Sequence, residues 1–170
     1  MDTIKNKYYF EALDNYPYNL PDCMEALNYA LSYNSEDADS LCLLGRVYSE
    51  ILKDYEKAKM YFEEAMMNDV TNVNTPQYYI HCLLNNEDFD EAKKLICYAL
   101  KIKGIDKAAI TYCQSVLQEK KGNYKKALTE ISAAKKFSFN KKMTEFLEER
   151  EKFVKAKMPK KRNKKKKETK

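Results

Sequence analysis

The chain has 170 residues and a formal net charge of +5, with 44% hydrophobic and 34% charged residues. Its three glycines and four prolines leave few residues for the turns of a sheet protein, which favours helices joined by short loops. No apolar run approaches the ~20 residues that cross a bilayer, and no secretory signal pattern begins the chain. We therefore predict a cytoplasmic protein without a membrane span.

A short motif occurs four times along the chain at nearly constant spacing. Each copy starts with Asp or Asn and ends with a small residue, and the small residues are 35, 34 and 35 positions apart. In chain order these are Cys23, Ala58, Ala92 and Ala127. Two further series keep the same register: Leu27, Phe62, Ile96 and Ile131, then Ala30, Ala65, Ala99 and Ala134. This regularity indicates an internal repeat.

Each copy of the motif predicts the start of a helix. Asp and Asn are favourable N-cap residues, and the small residue that follows begins an apolar stripe at helical spacing. Another apolar-periodic segment precedes the motif, so each unit is predicted to be a pair of helices joined by a tight turn. The first unit, residues 4–37, is the most degenerate copy, because Pro17 and Pro21 lengthen its turn.

The second unit, residues 38–71, has the clearest pattern. The run from Leu41 to Tyr48, followed by Ala58, Phe62 and Ala65, resembles the tetratricopeptide repeat. The resemblance implies an all-α fold in which helix pairs stack into a right-handed α-solenoid. The segment departs from the family pattern in two ways: one extra residue separates Tyr48 from Ala58, and Val70 stands where the family usually has proline at the end of its second helix.

The third and fourth units, residues 73–106 and 108–140, match the pattern mainly in their second helices. Ile80 and Ser115 stand where the first helix of the family has glycine. The four units together predict a repeat array over residues 1–140.

The segment 141–158 has no full repeat and is predicted to be one amphipathic helix. Apolar residues fall on one stripe of this helix, while glutamates and a lysine occupy the other side. Because a terminal repeat exposes its apolar face, we interpret this segment as a capping helix. A dedicated partner helix is the alternative.

Residues 159–170 differ sharply in composition from the rest. They carry a net charge of +7, which leaves −2 for residues 1–158. We predict a disordered polybasic tail that binds anionic partners weakly. Three alternatives stay open: the tail only keeps the protein in solution, it contacts RNA or an anionic surface, or it is a nuclear address. The residues predicted to contact an anionic partner are Lys160, Lys161, Arg162, Lys164, Lys165, Lys166 and Lys167.

Neither the cysteines nor the single histidine has the spacing of a catalytic or metal site. The cysteines are odd in number and lack the two-to-four-residue spacing of metal and redox motifs, so we interpret them as core residues. His81 has no neighbouring ligand set. No glycine-rich phosphate loop is present either. The sequence therefore predicts a non-enzymatic protein with no cofactor and no metal.

The resemblance also implies a place for partner binding, because the first helix of each pair lines a concave groove in the family. A solvated helix face is the alternative interpretation of these positions. The residues that align with the groove are Cys42, Arg46, Ser49, Glu50, Gln77, His81, Asn85, Tyr112, Val116, Glu119 and Lys120.

We predict an adaptor that holds a protein or peptide segment in this groove. The alternative is an RNA- or ribosome-associated factor in which the basic tail contacts phosphates, and salt sensitivity would separate the two. A homodimer formed through the first repeat stays open.

Overall fold

A computed structural model describes residues 7–159, and this part of the chain is entirely helical. The predicted all-α class is therefore confirmed. One segment of six residues, Val47–Leu52, is a π-helix. The α-helices are α1 (Lys7–Asn15), α2 (Leu20–Tyr33), α3 (Ala38–Arg46), α4 (Tyr55–Asn68), α5 (Thr75–Asn85), α6 (Phe89–Ala99), α7 (Lys107–Lys120), α8 (Tyr124–Phe137) and α9 (Lys141–Lys157).

The recurring Asp or Asn residue is the N-cap of every second helix, as the motif predicts. It stands directly before α2, α4, α6 and α8. Only Asp54 caps its helix with its side chain, accepting a hydrogen bond from the Lys57 amide at 3.2 Å. Asp88 instead accepts hydrogen bonds from the Lys59 amine at 3.1 Å and the Asn86 amide at 2.8 Å. At this position the carboxylate joins neighbouring helices.

Left-handed backbone precedes three of these N-caps. Lys53, Glu87 and Gly122 have φ angles of 57°, 64° and 74°. A residue with left-handed backbone ends the first helix of a pair and turns the chain, so that the second helix can pack against the first. Only Gly122 has the residue type that this conformation favours, so the turn could not be predicted from composition.

The apolar series form the buried stripe of the second helices. None of their twelve members exposes more than 2% of its surface. The small residues permit close approach of the neighbouring helix. Four of the five cysteines are also buried, as expected for core residues, but Cys97 is exposed on α6.

The extra residue of the second unit is accommodated by a π-helical segment. Val47–Leu52 continues α3 in π geometry, and the Asp54 amide then donates to the Tyr48 carbonyl at 3.0 Å. A π-helical turn holds more residues than an α-helical turn, so it can take up one extra residue. The extra residue in the sequence therefore has a local structural consequence, the π-helical segment.

The helices stack in chain order. Each helix packs against the next, and α3 also packs on α5 and α5 on α7. The core accordingly forms three clusters that follow one another along the chain.

Gly45 allows α3 to approach α4, because a Cβ there would lie 2.9 Å from the Phe62 ring. This is the arrangement of a helical-repeat array. Its handedness and the unit boundaries stay predictions.

The helix predicted after the array is present as α9. Its Leu147 and Val154 are fully buried in one cluster with Ala127, Ile131 and Ala134 of α8.

Within residues 7–159 no helix is long and apolar enough to cross a membrane. The tail residues 160–170 lie outside the described residues.

Candidate functional site

Arg46 lies at the centre of a cluster that joins three parts of the array. Its guanidinium carbon is 4.5 Å from the ring centre of Tyr16, which follows α1, and 4.1 Å from that of Tyr78 on α5. Its Nε donates to Glu50 Oε1 at 3.3 Å. The Tyr16 hydroxyl donates to Glu50 Oε2 at 2.5 Å. We call these four residues the Arg46 cluster.

The Arg46 cluster presents a carboxylate to solvent. The side chain of Arg46 is 18% exposed, whereas that of Glu50 is 45% exposed. Burial, helped by the Glu50 carboxylate, raises the pKa of Tyr16 well above its ordinary value, so the hydroxyl remains a donor. The cation contacts two rings and is largely buried, so the more exposed charge of the cluster is that of Glu50.

Two of the predicted groove residues near this cluster lie inside the array. Cys42 and Ser49 are 6% and 3% exposed. Burial raises the pKa of the Cys42 thiol to about 11, which keeps it protonated at neutral pH. Little of either side chain can reach a partner.

The predicted residues on α5 fall in different environments. Gln77 is half-buried and Asn85 is exposed. His81 Nε2 lies 3.6 Å from the Cys113 Sγ of α7. Burial lowers the pKa of His81, and burial raises that of Cys113 to about 12. Both groups are therefore neutral at neutral pH, so the pair is a packing contact between α5 and α7 and lacks an activated thiolate.

On α7, two predicted groove residues are in contact with α9. The Tyr112 ring meets the Phe146 ring edge to face at 5.0 Å. Glu119 accepts from Arg150 Nη2 and from Lys157 Nζ, both at 2.7 Å. Its side chain is 9% exposed. The helix α9 thus covers this end of the predicted groove.

The remaining residues on α7 are more accessible. Val116 is half-buried and Lys120 is exposed. Among the predicted groove residues, the structure joins Arg46 and Glu50 in an ion pair. The others range from buried to exposed.

Sequence reasoning missed Tyr16 and Tyr78 as members of the Arg46 cluster, although it named Tyr112 as a groove residue. Tyr16 and Glu50, which are in contact, are 34 positions apart, and so are Tyr112 and Phe146. This repeat-length spacing between contacting residues was the available signal.

No cluster of three or more His, Cys, Asp or Glu side chains suited to a metal ion is found within residues 7–159. The chemistry that this surface offers is hydrogen bonding, charge and aromatic contact.

Comparison with known families places the second predicted unit in a family. Residues 38–69 match the family model for the tetratricopeptide repeat. This is the segment that contains α3, the π-helical segment and α4. A comparison with curated protein sequences found no match to the chain.

Proposed function

We propose that this chain is an adaptor that holds a segment of a protein partner against α3 and α5. The premise is that residues 38–69 match the tetratricopeptide repeat, a module that suggests protein–protein interaction. The observation that carries the proposal is the Arg46 cluster. Its four side chains are fixed across three parts of the array and leave the Glu50 carboxylate exposed. A surface that is already ordered loses little conformational entropy when it binds.

The chemistry of this surface favours a basic, extended segment. Glu50 offers a carboxylate, while Gln77 and Asn85 offer amide groups that can satisfy the backbone of an extended chain. Residues 7–88 contain 15 Asp and Glu but five Lys and Arg, a net charge of −10. Such a field attracts a cationic partner and speeds its association.

The α7 end of the predicted groove contributes less to this proposal. Tyr112 and Glu119 already contact α9, so a partner that used them would displace the cap. Val116 and Lys120 remain predicted contacts at the edge of the surface.

The test compares the wild-type chain with Glu50→Gln and the matched control Glu25→Gln, an exposed glutamate on α2. Partners captured from a host lysate are identified by mass spectrometry, and peptides from them are titrated by fluorescence anisotropy. We expect Glu50→Gln to weaken binding about tenfold, because a hydrogen-bonded charge contributes on the order of 1.5–3 kcal/mol. Glu25→Gln should bind like wild type.

Two outcomes contradict the proposal. One is that the captured peptides bind Glu50→Gln and Glu25→Gln with the same affinity. The other is a partner that is released by nuclease, since this result favours the alternative RNA- or ribosome-associated factor. A cytoplasmic location is part of the proposal and is tested by fractionation.

A further inference from the structure

The near-neutral charge of the array conceals a strong charge separation. Residues 7–88 have a net charge of −10, whereas residues 89–159 carry 17 Lys and Arg against nine Asp and Glu, a net charge of +8. Because the helices stack in chain order, the acidic and basic halves occupy opposite ends of the array. The basic end is distinct from the proposed partner surface on α3 and α5.

An exposed aromatic loop lies in the basic half, between α8 and α9. Phe139 is 100% exposed and Phe137 is 44% exposed. Fixed hydrogen bonds hold the loop: the Asn140 side chain accepts from the Lys142 amide at 2.8 Å, and the Ser138 and Thr144 hydroxyls lie 3.1 Å apart. The two rings therefore project from an ordered turn.

A cleft of about 420 Å³ adjoins these rings, within the range of small-ligand sites. The start of α7 lines one side, and Phe137–Asn140 with Met143 line the other. The Asp106 carboxylate also lines the cleft, but it already accepts a hydrogen bond from the Ala109 amide at 3.0 Å as the N-cap of α7.

Exposed lysines lie in and next to the segments that line the cleft. Lys107 lines it, and the others lie within two residues of its lining segments. Within residues 7–159 only Lys141 of this group has an ion-pair partner, Glu145 at 3.8 Å. The lysines of this group are Lys103, Lys107, Lys136, Lys141 and Lys142.

We infer that this loop and cleft bind single-stranded nucleic acid, with bases stacked on Phe139 and Phe137 and phosphates held by the surrounding lysines. Exposed aromatic rings within a basic surface are the combination by which proteins bind single strands without sequence preference. The cleft favours a base over a bilayer, since a base can enter a concave site whereas a flat lipid surface cannot.

The first experiment measures the anisotropy of a fluorescein-labelled 12-nucleotide oligouridine with the full chain at low salt. We expect Phe139→Ala to weaken binding about fivefold or more, because one stacked base is lost. The matched control is Tyr18→Ala, which removes a 95% exposed ring from the acidic half and should leave binding unchanged. The tail is identical in all these chains, so its contribution cancels.

A second pair of variants tests the phosphate contacts. Lys107→Gln combined with Lys142→Gln should reduce the slope of log K against log salt by about 1.4, because each phosphate contact with a single strand contributes about 0.7, whereas Lys53→Gln in the acidic half should not change it. Circular dichroism checks that every variant keeps its helices.

Crosslinking separates this site from the tail, which starts at the other end of α9, roughly 25 Å away. With a 5-bromouridine oligonucleotide we expect crosslinks in residues 136–143. Crosslinks confined to residues 160–170, or oligonucleotide binding that is absent or insensitive to Phe139→Ala, overturn the inference. Loss of sedimentation with phosphatidylserine vesicles in Phe139→Ala, without any effect on the oligonucleotide, assigns the loop to a membrane surface and also overturns it.

Discussion

At the scale of single residues, Arg46 shows how one side chain can connect three parts of a repeat array. Its guanidinium is planar and can stack on rings, and here it contacts the rings of Tyr16, which follows α1, and Tyr78 on α5. Its hydrogen bond to Glu50 uses the π-helical segment that follows α3. The residue stabilises the surface on which the proposed partner binds.

The interaction between Arg46 and Tyr78 can be measured by a double-mutant cycle. We expect a coupling energy of about 0.5–2 kcal/mol between Arg46→Met and Tyr78→Leu, because the guanidinium is partly desolvated over the ring. Urea unfolding followed by circular dichroism gives the four free energies. Strict additivity of the two substitutions would show that the stacking contributes nothing.

At the scale of elements, the turns between paired helices depend on left-handed backbone. Glu87 adopts φ 64° although its side chain is exposed and makes no hydrogen bond within the described chain. Gly122 adopts the same region without a Cβ. The same turn is thus strained at Glu87, as it is at Lys53, and unstrained at Gly122.

The two turns predict opposite effects of substitution. Glu87→Gly should raise the free energy of unfolding by about 0.5–1 kcal/mol, since relief of left-handed strain exceeds the added entropy of the unfolded chain. Gly122→Ala should lower it by about 1 kcal/mol. Denaturation midpoints of the two variants check this pair, and a lower midpoint for Glu87→Gly would contradict it.

At the scale of the whole molecule, stability depends on contacts between neighbouring units, because the core clusters follow one another along the chain. His81 occupies one such contact, between α5 and α7. It is the only histidine of the chain, so it dominates the change in charge near pH 6.5.

Burial lowers the pKa of His81 in the folded state, while the nearby Glu50 carboxylate acts in the opposite direction. Below about pH 6.5 the unfolded chain takes up a proton on this imidazole that the folded chain does not. The free energy of unfolding therefore decreases as the pH is lowered. We expect this decrease between about pH 7 and pH 5 and its absence in His81→Gln. Urea unfolding at several pH values measures the difference between the two chains, and parallel profiles would contradict the assignment.

Much of the second helices was predictable, whereas most of the candidate site was not. Asp54 and Ala58 mark a helix start and a buried stripe because local capping and periodicity act within a few residues. Glu50 was predicted as a groove residue from the family resemblance, but its contacts with Tyr16 and Arg46 were not. Those contacts join residues from different repeats, and no short-range pattern encodes them.

The sequence by itself determined the helical class, the starts of α2, α4, α6 and α8, and the buried stripe, because each follows from spacing along one helix. Only the tertiary structure decided that Arg46 contacts two tyrosines, that α9 covers Tyr112 and Glu119, and that Phe139 projects beside a cleft. These features depend on how helices about 34 residues apart approach one another. That approach is set by the packing of whole units, to which many weak contacts contribute at once.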